Sequence, residues 1–328
     1  MKEILYSHGE PAGIGVDLIL KLANTKYWKE IKIPIVTLAD ESLLKARAKK
    51  LNINIKFIKL KNIKDAKKNR IGELQFYCVQ HCADPSPGIL NPKNADYVIS
   101  NLNFAIDASM KNPKVGLVTG PIQKSNIIEG GFNTFQGHTE WIKQKTNSET
   151  VVMLLASKKL KVALATTHIP LKEVSKNISE LKLVEIIKTV DEGLKNKFKL
   201  KNPVIKILGL NPHAGESGKI GNEELRIINP AVQQCRKMGI KISYAISADT
   251  AFNKVQLENT DGYIAMYHDQ ALPVLKALSF GETINITLGI PIIRISVDHG
   301  TALDIAGKGT AELGSLKEAM RQAEILLK

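Results

Sequence analysis

The chain has 328 residues, 44% of them apolar and 24% charged, which is the composition of a globular protein with room for one large or two ordinary domains. Its formal charge of +14 comes from lysines scattered along the chain with few aromatic residues among them to stack on bases; we therefore expect no nucleic-acid partner, and keep only a general pull on anionic metabolites. No apolar run reaches bilayer length, Met1 to Leu5 enter a strand pattern without a leader signature, and the three cysteines (Cys78, Cys82, Cys235) cannot all pair, so we expect no membrane association, a reducing cytoplasmic setting and structural thiols.

In chain order, the first apolar run, 4–6, reads as a strand and leads into the glycine-rich stretch 9–15. That stretch lacks the dinucleotide fingerprint, carries Pro11, and no acidic strand end is evident after it to hold a ribose; a tight turn made possible by glycine explains it equally well. A second strand follows at 33–38. Val98, Ile99, Leu102, Ala105, Ile106 and Met110 have helical spacing, and 115–118 is again a strand, ending in the loop 119–124. Residues 136–140 open a helix, at which backbone N–H groups, the Thr139 hydroxyl and the His138 ring suit a phosphate; Thr139 also suits an N-cap. Strands at 151–155 and 162–165 precede a helix through Leu181, Val184, Ile187 and Leu194. A strand at 204–210, a helix through Leu225, Ile228, Val232 and Cys235, strands at 264–266 and 292–297, the glycine-rich loop 298–309 and a last helix near 316–327 complete the chain. This alternation predicts a mainly parallel sheet with helices on both faces. No linker divides the chain, so two domains would be intertwined.

Three histidines stand just beyond predicted strands: His168, His213 and His268. Ligand sites gather beyond the carboxyl ends of parallel strands, and three neutral imidazoles there suit a divalent metal with positions left open. A lone strand-end histidine is more often a satisfied core or loop residue, and no local metal-binding spacing is present. Asp249 and Asp269 are placed to orient such imidazoles, and Asp249 also to act as a base. Lys276 lies on the helix after His268, with Pro273 in its first turn. Asn285 and Arg294 follow. Arg294 sits among isoleucines, which argues for gripping a phosphate or carboxylate with two parallel hydrogen bonds over a surface salt bridge.

Taken in register, the segments at 9–15, 119–127, 137–140, 167–171, 208–218, 249–252, 267–276, 285–291 and 296–311 resemble the 4-hydroxythreonine-4-phosphate dehydrogenase family of vitamin B6 synthesis, the PdxA family. The resemblance implies a two-domain α/β/α subunit of the isocitrate/isopropylmalate dehydrogenase kind, with 1–122 plus 285–328 as one domain and 123–284 as the other. It implies a homodimer with its active site in a cleft near the subunit interface. His168, His213 and His268 match the family's metal ligands, drawn from both subunits; His138, Thr139, Lys276, Asn285 and Arg294 match its substrate positions. The last glycine loop is similar to the adenosine-binding loop of isopropylmalate dehydrogenases, which implies dinucleotide contacts at His299, Gly300, Asp304 and Gly307. Val16, Ala271 and the stretch 277–279 depart from the family pattern without touching a ligand.

The implied reaction is oxidation of 4-phosphooxy-L-threonine at C3 by NAD or NADP with a divalent metal (zinc, magnesium or cobalt). The resulting β-keto acid decarboxylates to 3-amino-2-oxopropyl phosphate, on the way to pyridoxal 5'-phosphate. Lys276 and Asp249 are the candidates for the base. Two alternatives stay open: a dehydrogenase of threonate or erythronate 4-phosphate with the same motifs, and a metal-dependent hydrolase.

Overall fold

The computed structural model describes residues 2–84 and 86–328; Met1, in the predicted leading strand, lies outside them. The chain divides into two compact units, 1–147 with 291–328, and 148–290. The first segment carries β1 (Glu3–Ser7), α1 (Gly15–Ala23), β2 (Ile35–Leu38), α2 (Glu41–Lys50), β3 (Lys56–Lys59), β4 (Glu73–Tyr77), α3 (Ala95–Lys111), β5 (Val115–Thr119), α4 (Lys124–Glu129) and α5 (His138–Lys145). The second unit carries β6 (Val152–Ala156), β7 (Lys161–Leu164), α6 (Val174–Asn177), α7 (Glu180–Asn196), β8 (Ile205–Ile207), α8 (Asn229–Lys237), α9 (Lys254–Glu258), β9 (Gly262–Ala265), α10 (His268–Ser279) and β10 (Ile284–Leu288). The chain then returns to the first unit with β11 (Ile293–Val297) and α11 (Gly314–Leu326).

In the first unit the strands run parallel in the order β3-β4-β2-β1-β5-β11. Every residue of β1 and β5 is buried, as expected of strands covered on both faces. Sequence order reverses across β1 and β5, which makes the carboxyl ends of that pair a topological switch point. In the second unit the order is β10-β6-β7-β9-β8; β6 is antiparallel to both neighbours, while β7, β9 and β8 are parallel. Leu155, Leu160, Val162, Leu164, Leu208 and Tyr263 are buried together beneath this sheet.

Residues 123–147 sit in the first unit, not in the second as expected from the resemblance. Trp141 of α5 donates its Nε1–H to Asn103 of α3 at 2.8 Å and packs edge-on against Phe132, and Asn126 of α4 donates to Glu10 at 2.9 Å. Residues 285–290 sit in the second unit, because β10 pairs with β6 along its length, from Ile284 against Ala156 to Leu288 against Val152. Three strands lie outside the predicted set: β3, β4 and β10. Among the described residues, no helix is long and apolar enough to cross a membrane.

Candidate active site

Two glycine loops meet at the switch point of the first unit. Gly9, at φ 80°, and Gly120 let them touch: a Cβ on Gly9 would lie 2.0 Å from the Pro121 carbonyl oxygen, and one on Gly120 2.3 Å from that of His8. The Glu10 N–H donates to the Pro121 carbonyl at 2.9 Å. Glu10 is itself buried, which raises its pKa, and its carboxylate accepts from the Ala12 N–H and from Asn126. Beside it, His8 shares a 2.8 Å hydrogen bond with the buried Tyr97 hydroxyl; burial, with the nearby Arg47 cation, pushes the His8 pKa down to about 3.

The loop 9–15 is laced to the loop 298–309. The Ile14 N–H donates to the Thr301 carbonyl at 3.0 Å. Arg47 of α2, 1% exposed, donates to the carbonyls of Gly13 at 2.9 Å and Pro11 at 2.8 Å and pairs with Asp17. The other oxygen of Asp17 accepts the Gly307 N–H at 2.7 Å. Gly307 has φ 73°, and a Cβ there would meet Lys50 and Pro87 at about 3 Å. Of the other residues matched to the dinucleotide, Gly300 and Asp304 are exposed. The His299 Nδ1 lies 3.0 Å from the Gly300 carbonyl oxygen, while its Nε2 is buried with no hydrogen-bond partner among the described residues. Burial lowers the His299 pKa, so the ring is neutral and that nitrogen awaits a polar group. A buried, unpartnered polar atom in a glycine-rich loop fits a nucleotide contact.

The acidic residue not evident from the sequence at the end of the second strand is Asp40. It is 4% exposed and caps α2, accepting from the Ser42 N–H at 3.2 Å.

A buried cationic cluster stands beside the switch point. Arg294, on β11, is 2% exposed and donates to the Thr119 hydroxyl at the end of β5 at 2.9 Å. Burial lowers its pKa to about 10, opposed by Glu140, and a guanidinium is still charged there. The His138 residue keeps some surface, but its ring is enclosed; that enclosure, with Arg294 and Lys124, pushes its pKa well below the usual value. His138 is therefore a neutral hydrogen-bonding group beside two cations. It is also the first residue of α5. The N-cap is Gly137, at φ 152°, and not Thr139, which lies one residue inside the helix. A Cβ on Gly137 would lie 2.9 Å from Glu140 Oε2 and 3.3 Å from Lys124 Cε, which explains glycine here. A guanidinium, a neutral imidazole and a helix N-terminus are what an oxyanion needs.

The second unit holds the histidines. The β7–β9 pairing continues past both strands: the Ala165 N–H donates to Ala265 at 2.8 Å, and the Thr166 hydroxyl donates to the Met266 carbonyl at 2.6 Å. His168 and His268 stand two residues further on, with ring centroids 5.7 Å apart. Asp269 Oδ1 lies 3.2 Å from His268 Nδ1, which leaves Nε2 forward. Gln270 fixes this corner, accepting from the Met266 N–H at 2.7 Å and donating to the Gly209 carbonyl at 2.6 Å. His213 follows β8, the next strand over. Its Nδ1 lies 3.9 Å from Asp249 Oδ2. The structure thus brings His168 and His268 together and pairs His213 with Asp249; the three do not form one close cluster among the described residues.

His213 sits in a turn of unusual hand. Residues His213, Ala214, Gly215, Glu216 and Ser217 all have positive φ, between 43° and 78°. Glu224, 2% exposed, holds the turn: its carboxylate accepts from the Asn211 N–H at 2.8 Å and from the Asn211 side chain at 3.0 Å. Neither Glu224 nor Gln270 stands out in the sequence, because each acts through tertiary contacts.

Asp249 is exposed. The Ser247 hydroxyl first, and then His213, hold its pKa below the usual carboxylate range, which suits orienting an imidazole better than removing a proton. Lys276 is half-buried, two turns along α10 from His268. Pro273 lies inside that helix and not in its first turn, so it removes a backbone hydrogen bond to Asp269. Asn285, on β10, is half-buried, and its Oδ1 is buried with no hydrogen-bond partner among the described residues, as expected of a group waiting for a substrate donor.

One cluster was not anticipated. Asp40, Cys78 and His81 offer ligand atoms that all lie within 4.8 Å of one another. Cys78, expected to be a structural thiol, is thus grouped with two other potential ligands.

A parallel α/β unit with touching glycine loops and a buried cationic cluster, together with a unit that aligns imidazoles beyond adjacent strands, has the features of an enzyme of small anionic metabolites. The profile of the family described as "Pyridoxal phosphate biosynthetic protein PdxA" matches residues 30–323. A 4-hydroxythreonine-4-phosphate dehydrogenase of Pseudoalteromonas translucida is 44% identical over 98% of this chain and 96% of its own. One of Chromobacterium violaceum is 45% identical over 97% of this chain and 94% of its own. The crystal structure of a 4-hydroxythreonine-4-phosphate dehydrogenase from Klebsiella pneumoniae superposes with a TM-score of 0.90 at 30% identity, covering all of both chains. The chain belongs to the PdxA family, as the resemblance in its motifs implied.

Proposed function

We propose that this chain oxidises 4-phosphooxy-L-threonine at C3, with NAD or NADP as acceptor and a divalent metal, and releases CO2 and 3-amino-2-oxopropyl phosphate in pyridoxal 5'-phosphate synthesis. The observation that carries this reading is a cluster suited to an anion: a buried guanidinium, Arg294, beside a neutral His138 at the start of a helix. Arg294 and the first N–H groups of α5 take the phosphate, His138 donates one hydrogen bond without adding charge, and Thr139 adds its hydroxyl. The Asn285 Oδ1 is aimed at a substrate donor such as a hydroxyl or ammonium group.

The donor set suits a divalent ion. His168, His213 and His268 are imidazoles, with carboxylates behind His213 and His268. When bound, the ion supplies Lewis acidity toward the C3 hydroxyl, and the dinucleotide accepts the hydride. Zinc and cobalt suit imidazole; oxygen-rich substrates bring magnesium. Because His213 pairs with Asp249 and is not clustered with the other two, we take the ligand set to be completed by a second copy of the chain. Phe280 (82%), Val255 (66%) and Leu225 (52%) are exposed apolar residues of the second unit. Lys276 is assigned the proton transfer and the stabilisation of negative charge developing on the C3 oxygen; Asp249 orients His213. The His299, Gly300, Asp304 and Gly307 loop is assigned to the dinucleotide.

The test is reduction of NAD and, separately, of NADP by purified protein with divalent metal and 4-phosphooxy-L-threonine, with D-threonate 4-phosphate in parallel. Turnover of the first, lost with chelator, supports the proposal. Turnover of the second alone assigns a different phosphorylated hydroxy acid. Hydrolysis without reduction of either dinucleotide would overturn it.

A further inference from the structure

We propose that Asp40, Cys78 and His81 form a second metal site, for a zinc-class cation, made of residues other than the three histidines above. Sheet topology places them. β2 and β4 are parallel neighbours, with Leu38 opposite Tyr77, and the ladder continues where the Ala39 N–H donates to the Tyr77 carbonyl at 3.1 Å. Asp40 and Cys78 are therefore the first side chains with metal-ligand chemistry beyond two adjacent carboxyl ends, where ligand sites of parallel sheets gather. His81 returns over them: its Nδ1 is 3.5 Å from Asp40 Oδ1, and ligand atoms of all three residues lie within 4.8 Å of one another.

The carboxylate is held from behind. Asp40 is 4% exposed and accepts from the Ser42 hydroxyl at 2.9 Å and the Cys82 N–H at 3.0 Å. Carboxylates fixed in this way make oriented ligands. Cys78 is half-buried, with its thiol 3.4 Å from the Gln80 carbonyl oxygen, and His81 is exposed and able to adjust. The Cys82 sulfur is turned away, 3.3 Å from Asn94 Oδ1, and is not part of the set. One thiolate, one imidazole and one carboxylate suit zinc or cobalt far better than magnesium or calcium, and three protein ligands leave a fourth position to water. Cation binding releases the Cys78 proton and ties the turn after β4 to the start of α2.

The competing account is that Asp40 serves only as the cap of α2 and that His81 is a surface partner. Cobalt separates the two, because sulfur ligation produces a thiolate-to-cobalt charge-transfer absorption that a three-histidine site cannot give. Chelator-treated full-length protein is titrated with Co2+ and then with Zn2+. The expected result is a charge-transfer band that zinc removes. The band is retained in the His168→Ala/His213→Ala/His268→Ala variant and lost in Cys78→Ser, with circular dichroism confirming that each is folded. Ser42→Ala, which loosens the carboxylate, weakens Co2+ by about tenfold or more. Absence of the band in folded protein, or its survival in Cys78→Ser, overturns the proposal.

Discussion

Replacing Arg47 with methionine leaves the shape of the side chain nearly intact and removes its charge. Arg47 is 1% exposed and Asp17 0%, so the change strands a carboxylate in the interior. The carbonyls of Gly13 and Pro11 lose donors at 2.9 and 2.8 Å. Because methionine fills most of the volume, the cavity contribution is small and the electrostatic one dominates. Removing one partner of a buried pair costs about 3–5 kcal/mol. At about 2–4 °C per kcal/mol for a unit of this size, unfolding should come roughly 10 °C earlier. Function should change with it, because Asp17 also holds the Gly307 N–H at 2.7 Å. KM for the dinucleotide should rise while KM for the phosphorylated substrate stays put. Thermal unfolding by circular dichroism and initial rates at varied dinucleotide measure both. Asp17→Leu combined with Arg47→Met removes the stranded charge and should regain part of the loss. Arg47→Met within about 1 kcal/mol of the parent, or a double variant no better than the sum of the singles, would refute the argument.

The remaining predictions concern charge and protons. Arg294→Lys keeps the cation but loses the planar fork, so KM for the phosphorylated substrate should rise about 10–100-fold with KM for the dinucleotide unchanged; equal kinetics would make Arg294 a structural residue. His8 has its pKa pushed down to about 3, against about 6.5 in an unfolded chain. Below that upper value the unfolded chain takes up a proton that the folded chain refuses, so stability is full above about pH 6.5 and falls as pH drops toward 3. At pH 5 His8 alone withdraws about 2 kcal/mol, and His138 and His299, also shifted down, act in the same direction. Denaturant titrations of His8→Gln at pH 7 and pH 5 should show a stability gap about 2 kcal/mol narrower than that of the parent; an unchanged gap would contradict a neutral, buried His8.

The sequence revealed the fold where burial is two-sided. β1, β5 and β9 each hold an apolar run, and every residue of each is buried. It was silent at β3, Lys-Phe-Ile-Lys, where both lysines are exposed at a sheet edge, and at β10, where the buried Thr287 and half-buried Asn285 break up the apolar run. Arg47 could not be found because it sits among lysines on a helix that looks solvated; only the neighbouring loops bury it. Arg294 could, because its isoleucine flanks already forbid a surface position. The motif resemblance located His138 but not its neutrality, which arises from enclosure beside two cations brought from β11 and α4. Asp40 and Cys78 become neighbours only through the pairing of β2 with β4, a long-range fact that no local spacing encodes.

The turn at His213 behaves as a loaded spring. Four of its five left-handed residues, His213, Ala214, Glu216 and Ser217, are not glycine, and each is held there at about 1–2 kcal/mol. Glu224 is the catch that keeps it wound. A ligand on the His213 ring adds a second catch, and by linkage whatever tightens the turn tightens the hold on that ligand. When neither engages, the segment unwinds at little expense, and the exposed Lys219 just past it becomes open to trypsin. The rate of cleavage there then reports, without any substrate, whether the imidazole is occupied.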